Sequence, residues 1–139
     1  MTLVLGASLC AQAQTTPVGL WKTIDDDGVT AKSWVRISDP GNGKLTGKVE
    51  KILDPAMQDA KCDKCTDDRK DQAILGMVLF TGLTQDLDEK DVWQNARILD
   101  PKRGEEFRMR VQMIEGGKKL LMRGYFGPFY RTQEWLRLE

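Results

Sequence analysis

From residue 18 onward, apolar and polar side chains alternate in short runs, and almost nothing repeats at the spacing of a helix. The clearest run sets Phe107, Met109, Val111 and Met113 against Arg108, Arg110 and Gln112. The next sets Leu120, Met122, Gly124 and Phe126 against Arg123 and Tyr125. Successive side chains of an extended chain point to opposite faces, so each run has one buried and one wet face. The same pattern predicts eight strands, at 18–24, 31–38, 44–52, 74–81, 92–99, 105–114, 118–126 and 129–138. In the last of these Trp135 falls on the face opposite Leu136 and Leu138, which leaves its inward side open.

Most links between these segments are brief and rich in turn formers, such as Asp25-Asp26-Asp27-Gly28, Asp39 to Gly43, Asp100 to Gly104, and Gly116-Gly117. Brief links force antiparallel neighbours, because a parallel crossover needs about a dozen residues or more. A meander of this size has two exposed edges unless it closes, and closure at this strand count leaves room for side chains or one small ligand. The expected fold is all-β: an eight-stranded antiparallel up-and-down β-barrel, with one long loop or short helix between strands 3 and 4. A two-layer sandwich is the alternative. The long connection runs from Leu53 to about Ala73.

Composition narrows the chemistry. The 139 residues contain 21 Lys plus Arg and 21 Asp plus Glu, so there is no excess charge to hold a phosphate backbone, and nucleic acid is not an expected partner. Histidine is absent, which excludes Ser-His and Cys-His nucleophile pairs and an imidazole zinc site. Neither a metal nor a cofactor is expected. Adjacent acidic pairs such as Glu105-Glu106 point to opposite sides of an extended chain and make poor catalytic pairs.

Leu3 to Leu9 is an uncharged apolar run leading into Ala11-Gln12-Ala13, the pattern of a secretory signal over residues 1–13 cut before Gln14. Cys10 is preceded by Leu9 rather than a small residue, so simple cleavage is favoured over lipidation. No later run is apolar for long enough to span a bilayer as a helix. The expected mature chain is one domain, residues 14–139, in the periplasm or secreted.

In an oxidising compartment, Cys62 and Cys65 read most simply as a disulfide; a redox site is the alternative, in a charged loop rather than the strand-to-helix setting such sites use. In an eight-strand meander the start of the first strand meets the end of the last. Trp21 can then meet Arg137 and close one end of the barrel through a cation-π contact. The expected ligand-binding lining is Phe107, Met109, Met113, Met122 and Phe126, with thioethers suited to irregular apolar guests. Arg108, Arg110 and Arg123 are expected outside.

Pro17-Val18-Gly19-Leu20-Trp21-Lys22-Thr23, the segment Cys62 to Arg69 followed by Ile74-Leu75-Gly76-Met77, Ile98-Leu99-Asp100-Pro101, and Arg123-Gly124-Tyr125 with Arg131-Thr132-Gln133-Glu134-Trp135 are arranged in a familiar order. In that order and spacing the chain resembles the DUF2147 family of exported bacterial proteins. The resemblance implies a lipocalin-like (calycin) barrel, export, and binding of small apolar molecules, and it brings no catalytic residues. Asn95-Ala96 stands where that family usually has glycines, and Gly127-Pro128-Phe129-Tyr130 departs from its usual last turn. The expected function is therefore an exported, non-enzymatic barrel for an apolar or amphipathic small molecule. An envelope protein-protein interaction module and a CxxC thiol-disulfide protein are the alternatives.

Overall fold

The computed structural model describes residues 16–139, so the expected leader and Cys10 lie outside the described residues. Eight strands follow one another: β1 (Gly19–Ile24), β2 (Ala31–Ser38), β3 (Leu45–Ile52), β4 (Val78–Gln85), β5 (Val92–Asp100), β6 (Glu105–Ile114), β7 (Lys119–Phe126) and β8 (Phe129–Arg137). Each pairs antiparallel with the next, and β1 returns to β8, giving a closed barrel with strand order equal to chain order. Closure leaves no sheet edge, which rules out the sandwich.

The turn chemistry explains the meander. Between β1 and β2, one Asp27 carboxylate oxygen accepts the N–H groups of Val29 and Thr30, both at 2.8 Å. Between β2 and β3, Asp39 accepts from Gly41 at 2.8 Å and Gly43 at 3.2 Å. These are side-chain turns that occupy the backbone donors a strand would otherwise carry on to a neighbour. Between β7 and β8 only Gly127 and Pro128 intervene, and Gly127 takes a φ of 58°. A two-residue hairpin requires that positive φ.

The fourth strand differs from the pattern-based expectation of 74–81: it spans Val78–Gln85. Ile74 and Leu75 are apolar enough to look extended, but the chain turns there, with the Met77 N–H donating to the Ile74 carbonyl at 3.0 Å and Gly76 at a φ of 86°. The long connection therefore runs to Met77. It contains one short 3-10 turn, Pro55–Met57, capped by Asp54.

Alternation along β6 and β7 directs Met109, Val111, Met113, Leu120 and Met122 into the barrel, where all are buried. In β8 Trp135 is buried and paired with Leu120, whereas Leu138 is exposed, which settles the inward face of the last strand. One end of the barrel carries the β2–β3, β4–β5 and β6–β7 turns and both ends of the described chain. Here the interior is filled by Trp21, Ile37, Leu45, Leu83, Met113 and Leu120. The opposite end carries the other turns and the long connection.

Arg137 completes the filled end. Its guanidinium lies 4.3 Å from the centroid of the Trp21 ring. Gly19, at a φ of 147°, leaves space for this group, because a Cβ there would lie 2.7 Å from the Arg137 Nη1 and 2.3 Å from the Glu139 carbonyl oxygen. The Gly19-Leu20-Trp21 sequence thus has a steric reason: a residue without a side chain beside an arginine that caps the barrel.

The β4–β5 seam has the shortest regular register of the barrel. Its ladder is limited to Thr84 with Gln94 and Gln85 with Trp93. Asn95 sits beside it at a φ of 71°, where the register of β5 against β6 shifts. Glycine suits this conformation and asparagine tolerates it, so Asn95 fills a position with a glycine-like backbone. Arg69, from the long connection, braces this side by donating to the Val78 carbonyl at 3.2 Å and to Glu106 at 2.6 Å.

Candidate functional site

The open end of the barrel holds a cavity of about 390 Å³. Its floor and walls are apolar, with Val49 and Ile52 from β3, Leu79 from β4, Ile98 from β5, Phe107 from β6 and Met122 from β7. Trp135 lies at its base. The long connection contributes Met57, Ala60 and Ile74, so it acts as one wall of the mouth. A second trough of about 770 Å³, between Asp67–Arg69, Val78–Thr81, Arg97 and Glu106, lies on the outside of the barrel wall and is more polar. The first is the internal one and the better candidate for a small molecule, since such sites are concave, mostly apolar and about 300–1,000 Å³.

Polar groups enter the cavity from three strands. Thr23 and Ser33 share a hydrogen bond of 2.8 Å between their hydroxyls. Gln133 faces inward from β8 and donates to Asp26 at 2.8 Å, while its carbonyl oxygen lies 3.4 Å from the Trp135 indole nitrogen. Arg131 pairs with the other Asp26 oxygen at 3.0 Å. At the rim Lys32 pairs with Asp25 at 3.3 Å. The Asp26 N–H and the Lys32 ammonium hold the Asp25 carboxyl below its ordinary range, so it stays ionised at neutral pH.

Of the residues expected to line a lumen, Phe107, Met122 and Phe126 do so. Met109 and Met113 do not: both point inward but lie in the packed interior, Met113 at the filled end and Met109 at the level of Ala96 and Gly124. Alternation identifies the inward face but says nothing about depth along the barrel axis. Phe126 sits at the rim, 38% exposed, with its ring 6.1 Å from that of Phe107. Pattern reading missed Thr23, Ser33 and Gln133, whose polar side chains look solvent-facing in a strand. The register of the folded sheet turns them inward, with Thr23 opposite Trp135 and Gln133 opposite Met122. The linear pattern, which left the inward side of the last strand open, carries no such signal.

Cys62 and Cys65 form a disulfide. It is buried against Met77 and Leu99, and Cys62 Sγ lies 3.5 Å from the Pro101 carbonyl oxygen. Gly104 lets the β5–β6 turn approach this loop, since a Cβ there would lie 2.0 Å from the Lys64 carbonyl oxygen. The disulfide therefore anchors the long connection to the β5–β6 turn, at the mouth of the cavity. A thiol-exchange site needs an accessible sulfur, and Cys62 and Cys65 are 0% and 2% exposed. Among the described residues no cluster of three potential metal ligands occurs, and no helix is long and apolar enough to cross a membrane.

The family described as "Uncharacterized protein conserved in bacteria (DUF2147)" matches residues 19–137, which includes every strand of the barrel. The chain belongs to the DUF2147 family. No curated protein sequence matches this DUF2147 chain. Among solved structures it is similar to protein HP1028 from Helicobacter pylori, described as belonging to the lipocalin family, with a TM-score of 0.76 at 18% identity. The match covers 91% of this chain and 85% of that one. At that identity the likeness concerns the fold, and this DUF2147 barrel is lipocalin-like. A point mutant of the fluorescent protein UnaG aligns over 88% of this chain and 96% of its own, with a TM-score of 0.45 and 15% identity, a likeness too loose to define a shared fold.

Proposed function

We propose that the protein is an exported, non-catalytic barrel that binds an amphipathic small molecule in its open-ended lumen. The observation that carries this reading is an apolar interior of about 390 Å³ beneath a charged mouth. Such a shape removes the apolar part of a guest from water, at about 25 cal/mol per Å², and keeps its polar end near solvent. Export is supported by the leader-like residues 1–13 together with a buried disulfide, a bond that persists in oxidising compartments.

Native mass spectrometry of protein purified from a bacterial envelope tests the binding reading. A lipid-like adduct is expected on the wild type and is expected to be lost in Met122→Trp, whose larger ring fills the cavity. A bare wild type, or an adduct indifferent to that substitution, overturns it. Fractionation tests export, which fails if the full chain stays in the cytoplasm with Cys62 and Cys65 reduced.

A further inference from the structure

The rim of the cavity carries four cations and four carboxylates, and their pairing is uneven. Lys32, Arg131 and Arg103 each have a carboxylate partner: Asp25 at 3.3 Å, Asp26 at 3.0 Å and Asp100 at 3.8 Å. The fourth acid, Asp54, accepts the Ala56 N–H at 2.9 Å and caps the short turn of the long connection. Lys102 is the remaining cation. Among the described residues its ammonium forms no ion pair within 4.0 Å; one Asp100 oxygen accepts the Lys102 backbone N–H at 3.0 Å and the other faces Arg103.

Lys102 also stands beside another cation. Contact with the Lys32 ammonium, followed by the charge of that group, holds Lys102 below the ordinary lysine range, and Asp25 and Asp100 only partly offset the effect. Two like charges brought together at the edge of an apolar cavity are relieved by an anion between them. Both lysines line the same cavity as Met122 and Trp135.

We infer that Lys102, with Lys32 beside it, holds the anionic head of a single-chain amphiphile, a carboxylate or phosphate monoester, whose chain descends toward Met122 and Trp135. This rests on the binding reading above and adds the charge and shape of the guest. The site selects against a cationic head, which would meet two ammonium groups, and favours an anionic head over a neutral one.

Calorimetric titration of the full barrel with dodecanoate, dodecan-1-ol and dodecyltrimethylammonium, together with inorganic phosphate as a chainless anion, tests it. Dodecanoate is expected to bind about tenfold tighter than dodecan-1-ol. Lys102→Met is expected to abolish that difference while leaving dodecan-1-ol within about twofold of wild type. Lys102→Glu, exposed and therefore tolerated by the fold, is expected to reverse the preference toward the cationic chain. Equal affinity for the acid and the alcohol, or an equal loss of both in Lys102→Met, overturns the head-group assignment and leaves the binding reading standing. Phosphate binding as tight as dodecanoate binding, and equally sensitive to Lys102→Met, overturns it in favour of a free anion. Failure of all three chains to bind sinks both.

Discussion

Arg137 and Trp21 face each other across the β1–β8 pair, with the guanidinium 4.3 Å from the ring centroid. The same guanidinium donates to the carbonyl oxygens of Gly117 at 2.7 Å, Val18 at 2.9 Å and Thr16 at 2.7 Å. One side chain thus ties the segment before β1, the β6–β7 turn and the end of β8 together. Arg137→Met keeps the apolar stem but leaves four carbonyl oxygens, those three and that of Glu139 at 3.2 Å, without their charged donor. A loss of about 2–4 kcal/mol is expected, read as a lower urea midpoint at unchanged slope. Arg137→Lys retains the charge but not the planar fork and is expected to recover less than half. A methionine variant within about 0.5 kcal/mol of wild type would show that the capping contacts are dispensable.

Gly47 on β3 and Phe80 on β4 are a paired position where packing rather than backbone conformation demands glycine. A Cβ on Gly47 would lie 2.1 Å from Phe80 Cε1. Gly47→Ala therefore overpacks the barrel wall and is expected to destabilise by about 1–3 kcal/mol. Phe80→Leu alone leaves unfilled space, whereas the double variant has room for both side chains. The coupling in the double-mutant cycle is expected to be favourable and at least about 1 kcal/mol. Strict additivity would mean that Phe80 moves aside freely.

The Cys62–Cys65 bond closes a small ring, so its chain-entropy contribution is about 2 kcal/mol at most. Its larger effect is local. The loop around it is also held by backbone bonds from Cys62 to Gln72 at 2.9 Å and from Asp71 to Cys62 at 2.8 Å. Cys62→Ser with Cys65→Ser is expected to retain the barrel, lose about 2 kcal/mol or less, and become open to proteolysis within residues 53–77. Mass-mapped limited proteolysis with far-UV circular dichroism reads both outcomes. Collapse of the whole fold, or an unchanged cleavage map, contradicts this division of labour.

Strand faces were the most legible part of the sequence, because a period of two survives in β6 and β7 without help from the rest of the fold. The meeting of Trp21 with Arg137 followed from chain order alone: a closed antiparallel meander of eight strands must bring the start of the first beside the end of the last. Depth along the barrel axis was not legible, since Met109, Met113 and Met122 share a face and only Met122 reaches the cavity. The β4 boundary shifted because Ile74 and Leu75 read as strand by composition while Gly76 supplies a turn. The rim was the least legible. Lys102 sits in a β5–β6 turn, and nothing in the linear order places it beside Lys32, which is 70 residues earlier.

Asp27 offers the clearest acid response. Its carboxylate accepts the Thr30 hydroxyl and the N–H groups of Thr30 and Val29, and these bonds lower its pKa from 3.8 to about 2. The unfolded chain therefore takes up a proton at this position before the folded chain does. The stability that Asp27 contributes is complete above its unfolded value of 3.8 and is lost as pH falls through about 2. Asp25, also in this turn, is lowered in the same direction, so the β1–β2 side of the cavity mouth is expected to loosen across this window. Asp27→Asn keeps an acceptor oxygen for the two N–H groups but does not titrate, and is expected to flatten the response of the turn. Following the Val29 and Thr30 amide resonances from pH 5 to pH 1.5 gives the midpoint directly. A midpoint near 3.8, or the same curve in Asp27→Asn, would mean that these hydrogen bonds do not hold the carboxylate in its charged form.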